Sequence, residues 1–420
     1  MKILRLTKVI QEKLLAAHRP DQAAERVAAR IVNDVRRRGD AALFAWTKRL
    51  DGYGVDRNSV WIRQAEFDAA VRGVSREFLE AMKRAARNIR AVARKQKPQE
   101  WRLETTLGVR VSQRVSPIET IGCYIPGGRF SLVSTLLMTV IPAQEAGVRR
   151  IVVASPQPGR ELLAAAAFLG VRRIARIGGA QAIAALAYGT RSIPRVDKIF
   201  GPGNRYVTAA KRLIGADCAI DLSAGPTEAV VLATRGNARL IAADLLAQAE
   251  HDPDAVALCV TPSETLARAV AAEVDEQLRQ LPKNNPAWRS MARNGAVLVA
   301  RDLAEAVEFV NRLAPEHLSL PEGGHALLRR FHSAGSIFLG EGTAQAIGDY
   351  ASGTNHVLPT GGAARARGGL STADFVKCIT VQEVTRAGLT RLAPVVREFA
   401  DAEGLIAHRR AVEARLGGIP

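Results

Sequence analysis

The sequence is poor in cysteine, in aromatic residues and in long apolar runs. Its four cysteines lie far apart and form no C-x-x-C pair, which argues against a disulfide framework or a cysteine zinc knuckle. Aromatic residues make up 5% of the 420 residues, so platforms for stacking nucleic-acid bases are scarce. No apolar run approaches ~18 residues, and the amino terminus lacks the pattern of a signal peptide. We therefore predict a cytoplasmic protein without a transmembrane helix.

The chain also has relatively few acidic residues, because 59 Lys and Arg stand against 41 Asp and Glu, a formal net charge of +18. Such a balance invites a nucleic-acid-binding hypothesis. The basic residues are spread along the chain, however, and the densest run, KRAARNIRAVARKQK at 83–97, is followed closely by a single aromatic residue, Trp101. We interpret this run as a solvated helix face, and note that a basic surface would also attract an anionic dinucleotide.

The periodicity of apolar residues nevertheless predicts an α/β protein. Residues 1–20 have the pattern of an amphipathic helix, and 21–97 that of further helices, with Asp21 at an N-cap and Gly39 as a break. From residue 119 onward, strands alternate with helices in two successive blocks, and Asp302 is predicted to cap one of the later helices. This alternation predicts parallel sheets covered by helices. A glycine-rich loop at 353–371 then leads into a tail that we predict to be helical.

The dinucleotide-binding fingerprint G-x-G-x-x-G is absent. Two glycine turns could replace it, IGGAQAI at 177–183 and GPGN at 201–204, because each allows close backbone approach and the first opens onto a helix amino terminus that could hold a phosphate. Taken alone, either turn is equally consistent with a tight strand-to-helix connection.

Two polar pairs could carry chemistry. Gln248 and His251 are three residues apart near the end of a predicted helix, so they would share one face and could reach the same cation. Glu316 and His317 lie at a predicted helix-to-strand junction, and a neighbouring carboxylate and imidazole suit proton transfer near pH 7. Each pair alone could also be an ordinary polar element end.

Two further pairs lie nearer the carboxyl terminus. Asp349 and His356 belong to the loop segment GDYASGTNHVLPT, and Glu403 and His408 belong to the tail segment ADAEGLIAHRRAV. Each of the four histidines in these pairs thus lies within seven residues of a carboxylate. Glutamine, aspartate and histidine side chains together form a mixed nitrogen and oxygen set that suits zinc at a position open to substrate.

Several long motifs in register resemble the histidinol dehydrogenase family: IDLSAGPTEAVV, LLAQAEHDPDA, NRLAPEHLSL, AGSIFLGE and GDYASGTNHVLPT. The resemblance covers essentially the whole chain. It implies a zinc-dependent homodimer that oxidises L-histidinol through L-histidinaldehyde to L-histidine with two NAD⁺, in the last steps of histidine synthesis. The chain departs from the family pattern at Val256, at Gly342 and at 129–139, and the last departure lies close to the expected NAD turn.

The resemblance also implies the architecture, namely two incomplete Rossmann-like parallel-sheet domains with small helical terminal segments in an intertwined homodimer. The amino-terminal arm would span 1–20. Residues 21–123 together with 227–369 would form the substrate and zinc domain, and 124–226 the NAD domain. Residues 370–420 would form a helical tail that reaches the partner subunit.

The resemblance further implies roles for individual residues. The zinc ligands would be Gln248, His251, Asp349 and His408. His408 would come from the partner subunit, as would Glu403, which contacts the substrate, so each active site would need a dimer.

The remaining implied roles concern catalysis and binding. His317 would be the general base for the hydroxyl proton, and Glu316 would activate water for attack on the aldehyde. The zinc ligands and the Glu316–His317 pair would contact the substrate together with two further residues, Thr227 and His356. The NAD contacts would be Tyr124, Gln181 and Asn204.

Two alternatives stay open. A related dehydrogenase could use zinc and NAD to oxidise another polar alcohol on the same scaffold, although the residues expected to hold the imidazole and the amine match here. A non-catalytic basic protein could instead bind nucleic acid, which a strongly salt-dependent affinity for DNA would favour. Such a protein would have no reason to keep all four proposed zinc ligands.

Overall fold

A computed structural model describes residues 1–16, 21–127, 132–222, 225–321 and 324–417. The strands of these residues are β1 (Lys2–Arg5), β2 (Trp101–Thr106), β3 (Val109–Pro117), β4 (Thr120–Tyr124), β5 (Arg150–Ala154), β6 (Ile174–Ala175), β7 (Lys198–Phe200), β8 (Ala219–Ile220), β9 (Glu228–Leu232), β10 (Val256–Thr261), β11 (Ala296–Val299), β12 (His317–Leu320), β13 (Ser336–Leu339) and β14 (Val376–Val384).

The helices of the same residues are α1 (Lys8–Ala16), α2 (Gln22–Arg38), α3 (Asp40–Asp51), α4 (Gln64–Gly73), α5 (Arg76–Gln96), α6 (Val133–Ala146), α7 (Arg160–Phe168), α8 (Gly179–Tyr188), α9 (Arg205–Ile214), α10 (Ala238–Ala249), α11 (Glu264–Gln280), α12 (Ala287–Asn294), α13 (Leu303–Leu313), α14 (Gly324–Leu327), α15 (Gln345–Tyr350), α16 (Arg386–Ala402) and α17 (Ile406–Leu416). The predicted N-caps are confirmed, because the side chains of Asp21 and Asp302 accept hydrogen bonds from Ala24 N and Glu305 N.

A five-stranded parallel sheet has the order β6-β5-β4-β7-β8. The chain enters at β4, moves outward to β5 and β6, and then crosses back to β7 and β8. The direction of winding therefore reverses between β4 and β7. In open parallel sheets, this reversal leaves a crevice at the carboxyl ends of the two strands, where ligands commonly bind.

Helices cover both faces of this sheet, because successive strand residues point to opposite sides. Val153 packs with α4, α5, α6 and α7 on one face, whereas Val152 packs with α2, α3, α8 and α9 on the other. Residues 22–96 thus pack on the five-stranded sheet, which differs from the predicted grouping of 21–123 with 227–369. The assignment of the two sheets to zinc and to NAD remains a prediction.

A six-stranded parallel sheet has the order β1-β11-β10-β9-β12-β13. It is wound like the first sheet, outward from β9 to β11 and then back to β12 and β13. Helices α10, α11 and α12 cover one face, and α1 and α13 cover the other. The two predicted α/β blocks therefore exist and share one winding pattern.

The prediction of a helical arm over 1–20 was wrong at its start. Lys2–Arg5 form a strand that pairs in parallel with β11, from Lys2 opposite Ala296 to Arg5 opposite Val299. Pairing at the sheet edge satisfies backbone groups that a short amphipathic helix would leave exposed at its amino end. The helix begins only at Lys8, and residues 17–20 lie outside the described part of the chain.

A three-stranded antiparallel sheet, in the order β14-β3-β2, projects from the two α/β units. The prediction of a purely helical tail was therefore also wrong. Residues 376–384 are rich in β-branched side chains, which favour strands, and they pair with a strand more than 250 residues earlier. Helices α16 and α17 follow this strand.

The basic run at 83–97 lies on α5, which buries Ala86, Ile89 and Ala93 and exposes most of its charges. Arg90 and Arg94 form ion pairs with Glu145. This arrangement agrees with a solvated helix face. Among the helices of the described residues, we find none that combines the length and the apolarity needed to cross a membrane.

Candidate active site

The site is centred on a buried carboxylate and imidazole at the start of β12. Helix α13 ends at Leu313, and the positive φ of 52° at its C-cap Ala314 turns the chain toward the six-stranded sheet. In that sheet His317 lies opposite Ala229 of β9. Glu316 Oε2 accepts hydrogen bonds from Thr227 Oγ1 at 2.5 Å and from Glu228 N at 2.9 Å. These bonds fix the orientation of the Glu316 carboxylate.

His317 is 3% exposed and stacks on Phe338 with ring centroids 5.8 Å apart. Its Nδ1 lies 3.3 Å from the carbonyl oxygen of Glu228, so Nδ1 is the donor and the neutral ring would carry its lone pair on Nε2. Nε2 is buried without a hydrogen-bond partner in the described chain, and Asp349 Oδ1 is 3.8 Å away. His317 therefore presents a reactive nitrogen to the same space as Asp349.

The charges around this imidazole are unusually close. Burial of the ring works to lower the pKa of His317, but the carboxylates of Glu316 and Asp349 outweigh burial and raise the pKa to about 10. Burial works in turn to raise the pKa of Asp349, and the imidazoles of His317, His356 and His251 hold it below the usual value. The three histidines thus lie within electrostatic reach of one carboxylate.

His356 connects the glycine-rich loop to both halves of the molecule. Its Nδ1 donates to the carbonyl oxygen of Asp349 at 3.0 Å, and its Nε2 lies 3.2 Å from Thr135 Oγ1 on α6. Burial lowers the pKa of His356. Asn355 anchors the loop further by donating to the carbonyl oxygen of Met138 at 2.7 Å. The loop therefore brings His356 to Asp349 at the junction of the two sheets. The prediction that Asp349 itself lies on a loop was wrong, because it belongs to helix α15.

Gln248 lies close to this group, but the prediction that it shares a helix face with His251 was wrong. Helix α10 ends at Ala249, so His251 lies beyond the helix end. Gln248 is buried, and its amide nitrogen donates to Thr227 Oγ1. Since the nitrogen is engaged there, the amide oxygen remains available as a ligand.

The predicted metal and substrate residues do not all meet within one chain. Glu403 and His408 are exposed, on the segment where α16 ends and α17 begins. A search of the described residues for three or more His, Cys, Asp or Glu side chains arranged to hold a metal finds no such group. Gln248, His251 and Asp349 are the proposed ligands that a single chain brings to the site region.

The predicted NAD residues lie at the carboxyl ends of the five-stranded sheet. Tyr124 ends β4, and its hydroxyl accepts a hydrogen bond from Gly179 N at 3.1 Å. Gln181 on α8 is buried, donates to Asp51 Oδ2 at 3.2 Å, and keeps Oε1 without a partner among the described residues. Asn204 follows β7 and caps α9. Tyr124 and Asn204 therefore flank the winding reversal between β4 and β7.

Sequence reasoning missed several residues of this region. Asp51 lies at the end of α3, where burial raises its pKa and Gln181 contacts it. Thr135 belongs to the segment 129–139 that departs from the family pattern, of which 129–131 lie outside the described residues. Glu228 accepts from Gly361 N at 3.0 Å and so ties the loop to β9. No local pattern marked these residues, because each acts through a partner distant in sequence.

The fold and the site define a class of protein with two doubly wound parallel sheets and a buried carboxylate–imidazole site at their junction. Comparison with known proteins makes this class specific. The family model described as histidinol dehydrogenase matches residues 16–416. The chain therefore belongs to the histidinol dehydrogenase family.

Individual relatives support this family assignment. The chain is 47% identical to histidinol dehydrogenase of Halalkalibacterium halodurans, over 92% of each chain. It is 40% identical to that of Methanosarcina barkeri, over 100% of this chain and 98% of the relative. The crystal structure of histidinol dehydrogenase from Elizabethkingia anophelis matches with a TM-score of 0.93 and 38% identity, over 99% of this chain and 98% of that chain.

Proposed function

We propose that the protein oxidises L-histidinol through L-histidinaldehyde to L-histidine, with two NAD⁺ reduced for each histidinol, as the last steps of histidine biosynthesis. The observation that carries this proposal is the buried Glu316–His317 pair, which faces Asp349 and lies beside Gln248. A basic and an acidic group in one water-poor site suit two successive oxidations, because each needs a proton removed as hydride leaves.

In the first oxidation, His317 in its neutral form accepts the proton of the substrate hydroxyl as hydride passes to the nicotinamide. This form requires that the charge of Asp349, which helps to raise the pKa of His317, be neutralised by the proposed zinc. The hydrogen bond from Nδ1 to the Glu228 carbonyl supports this role, because it directs the Nε2 lone pair toward the site. Stacking on Phe338 holds the ring in that plane. General-base catalysis of this kind contributes on the order of 10²–10⁴-fold to the rate.

In the second oxidation, Glu316 takes a proton from a water molecule that adds to the aldehyde. The resulting hydrate can lose a second hydride and become the carboxylate product. Thr227 and Glu228 N support this role by holding Oε2 of Glu316 in place. The aldehyde stays bound between the steps, so the same two residues serve both.

We propose Gln248, His251 and Asp349 as ligands of one zinc ion, with His408 of a second copy of the chain as the fourth. The available amide oxygen of Gln248 and the carboxylate of Asp349, which lies within electrostatic reach of His251, fit the mixed nitrogen and oxygen set that zinc accepts. When bound, the zinc would orient the imidazole and amino groups of the substrate. It would also take up the negative charge of Asp349, one of the two carboxylates that raise the pKa of His317.

The fourth ligand requires a homodimer, which the exposed tail supports. All residues of β14 except the first are exposed. Apolar side chains are also exposed on the small sheet and on the tail helices. The exposed apolar residues include Trp101, Leu103, Ile379, Val381, Val395, Phe399 and Ile406. Exposed apolar side chains of this number favour an interaction site, and a second copy of the chain would cover them. Glu403 would then contact the substrate of the partner's site.

A substrate panel tests the proposal. Purified protein with zinc and NAD⁺ should form NADH with L-histidinol and lose this activity with a chelator, and added zinc should restore it. Activity on another polar alcohol in preference to L-histidinol would favour the related dehydrogenase. Absence of activity, combined with DNA affinity that falls steeply with salt, would favour the nucleic-acid-binding alternative.

A further inference from the structure

Lys211 on α9 and Asp221 just after β8 form an ion pair that the proposed mechanism does not use. The two residues are 1% and 5% exposed. Lysine and aspartate are almost never buried this deeply unless they are paired. A buried ion pair contributes little net stability, because removing both charges from water offsets their attraction. The position of this pair therefore calls for another explanation.

Both partners of the ion pair hold the same glycine. Lys211 Nζ donates to the carbonyl oxygen of Gly201 at 2.9 Å, and Asp221 Oδ2 accepts from Gly201 N at 2.7 Å. Asp221 Oδ1 accepts from Leu222 N at 2.6 Å in addition to Lys211. The pair thus fixes the orientation of the peptide groups on either side of Gly201.

Gly201 opens the GPGN turn and has no room to move on its other side. Its φ is 113°, and a Cβ added there would overlap the carbonyl oxygen of Tyr124. The turn is therefore held between the backbone of Tyr124 and the Lys211–Asp221 pair. Three residues later, Asn204 caps α9 by accepting from Tyr206 N and Val207 N.

We propose that Lys211 and Asp221 are positioning residues that set the geometry of the cofactor turn at 201–204 without touching NAD themselves. The inference rests on the proposed function, because it takes Tyr124 and Asn204 as NAD contacts. A buried charge pair suits this task, since its directional bonds define one turn conformation where apolar packing would leave several.

Direct binding measurements on the purified full-length protein test this role. The double variant Lys211→Met with Asp221→Asn removes both charges without leaving one unpaired. We expect calorimetry to give NAD⁺ affinity about tenfold weaker, a difference of one decade in Kd, with the affinity for L-histidinol nearly unchanged. Lys211→Arg, which keeps a donor to Gly201, should bind NAD⁺ more tightly than Lys211→Met.

A matched control separates positioning from stability. Ile214→Ala opens a cavity one turn further along α9. Ile214 is fully buried in the apolar cluster, and its side chain has no polar group that could hold Gly201. We expect this control to lower Tm while leaving NAD⁺ affinity unchanged. If the single lysine variant fails to fold, Asp221→Asn, which keeps the size and an acceptor for Gly201 N, should still weaken NAD⁺ binding measurably.

The proposal is overturned if the double variant binds NAD⁺ like the original chain, or if Ile214→Ala weakens NAD⁺ binding as much as the double variant does. Failure of the proposed function is distinct from either result. In that case the original chain and the Ile214→Ala control would themselves show no NAD⁺ binding, which would overturn both proposals together.

Discussion

Replacing Glu316 by glutamine should separate the two oxidations. The glutamine keeps the size of the side chain and an oxygen that can accept from Thr227 and Glu228 N, which now bind Oε2 at 2.5 and 2.9 Å. The fold should therefore be retained. What the variant loses is the carboxylate that takes a proton from water.

The expected decrease in rate follows from the loss of this carboxylate. Removing a general base costs on the order of 10²–10⁴ in rate for the step that needs it, or roughly 3–5 kcal/mol of transition-state stabilisation. That step is the hydration and oxidation of the aldehyde. The first oxidation depends on His317 and should slow far less. The carboxylate of Glu316 also raises the pKa of His317, so the variant should titrate that imidazole at a lower pH.

The assay measures NADH formed from L-histidinol and, separately, from L-histidinaldehyde. We expect the aldehyde reaction to fall by about 10²-fold or more, and a burst of one NADH for each active site to precede slow turnover. Glu341→Gln is a matched control, because Glu341 is an exposed carboxylate on the same sheet's loop that accepts from Asn237 N. Equal losses in both oxidations, or none in either, would refute the assignment of Glu316 to the second step.

Three further predictions follow from other parts of the structure. Burial raises the pKa of Asp244 from 3.8 to about 6, which penalises the ionised folded form. Asp244→Asn should therefore match the original stability near pH 3 and exceed it by about 1–3 kcal/mol above pH 6 in urea unfolding curves, and equal curves at both pH values would contradict this. Phe399→Asp places a charge on a side chain that is 66% exposed in a single chain. It should yield monomers by light scattering and lose activity, whereas an active dimer would argue against the tail as the interface. His408→Asn should lose zinc by metal analysis while His317→Asn keeps it, and mixing the two inactive variants should restore some activity. No rescue after confirmed subunit exchange would count against shared sites.

The sequence predicted the two α/β units because their strands and helices repeat a local pattern. Val256–Thr261 and the helix that follows can be identified from apolar spacing alone. Elements whose partners lie far away in sequence could not be predicted. Lys2–Arg5 becomes a strand because it pairs with residues near 296, and Val376–Val384 because it pairs with β3.

In the candidate site, too, local features could be predicted and contacts between distant residues could not. Glu316 and His317 are neighbours in sequence, so their pairing at an element junction could be predicted. The separation of 3.8 Å between His317 and Asp349 depends on how helix α15 packs beside β12, and no local pattern specifies it. The end of α10 before His251 was missed because Gln248 and His251 fit the helical spacing although the helix had already ended.

The central claim is that one site carries out both oxidations of L-histidinol. The most direct test is to convert a limiting amount of L-histidinol with excess NAD⁺ and to quantify NADH and L-histidine together. The account predicts two NADH and one L-histidine for each L-histidinol consumed. One NADH with free aldehyde as the product, or no NADH from zinc-loaded protein, would contradict it.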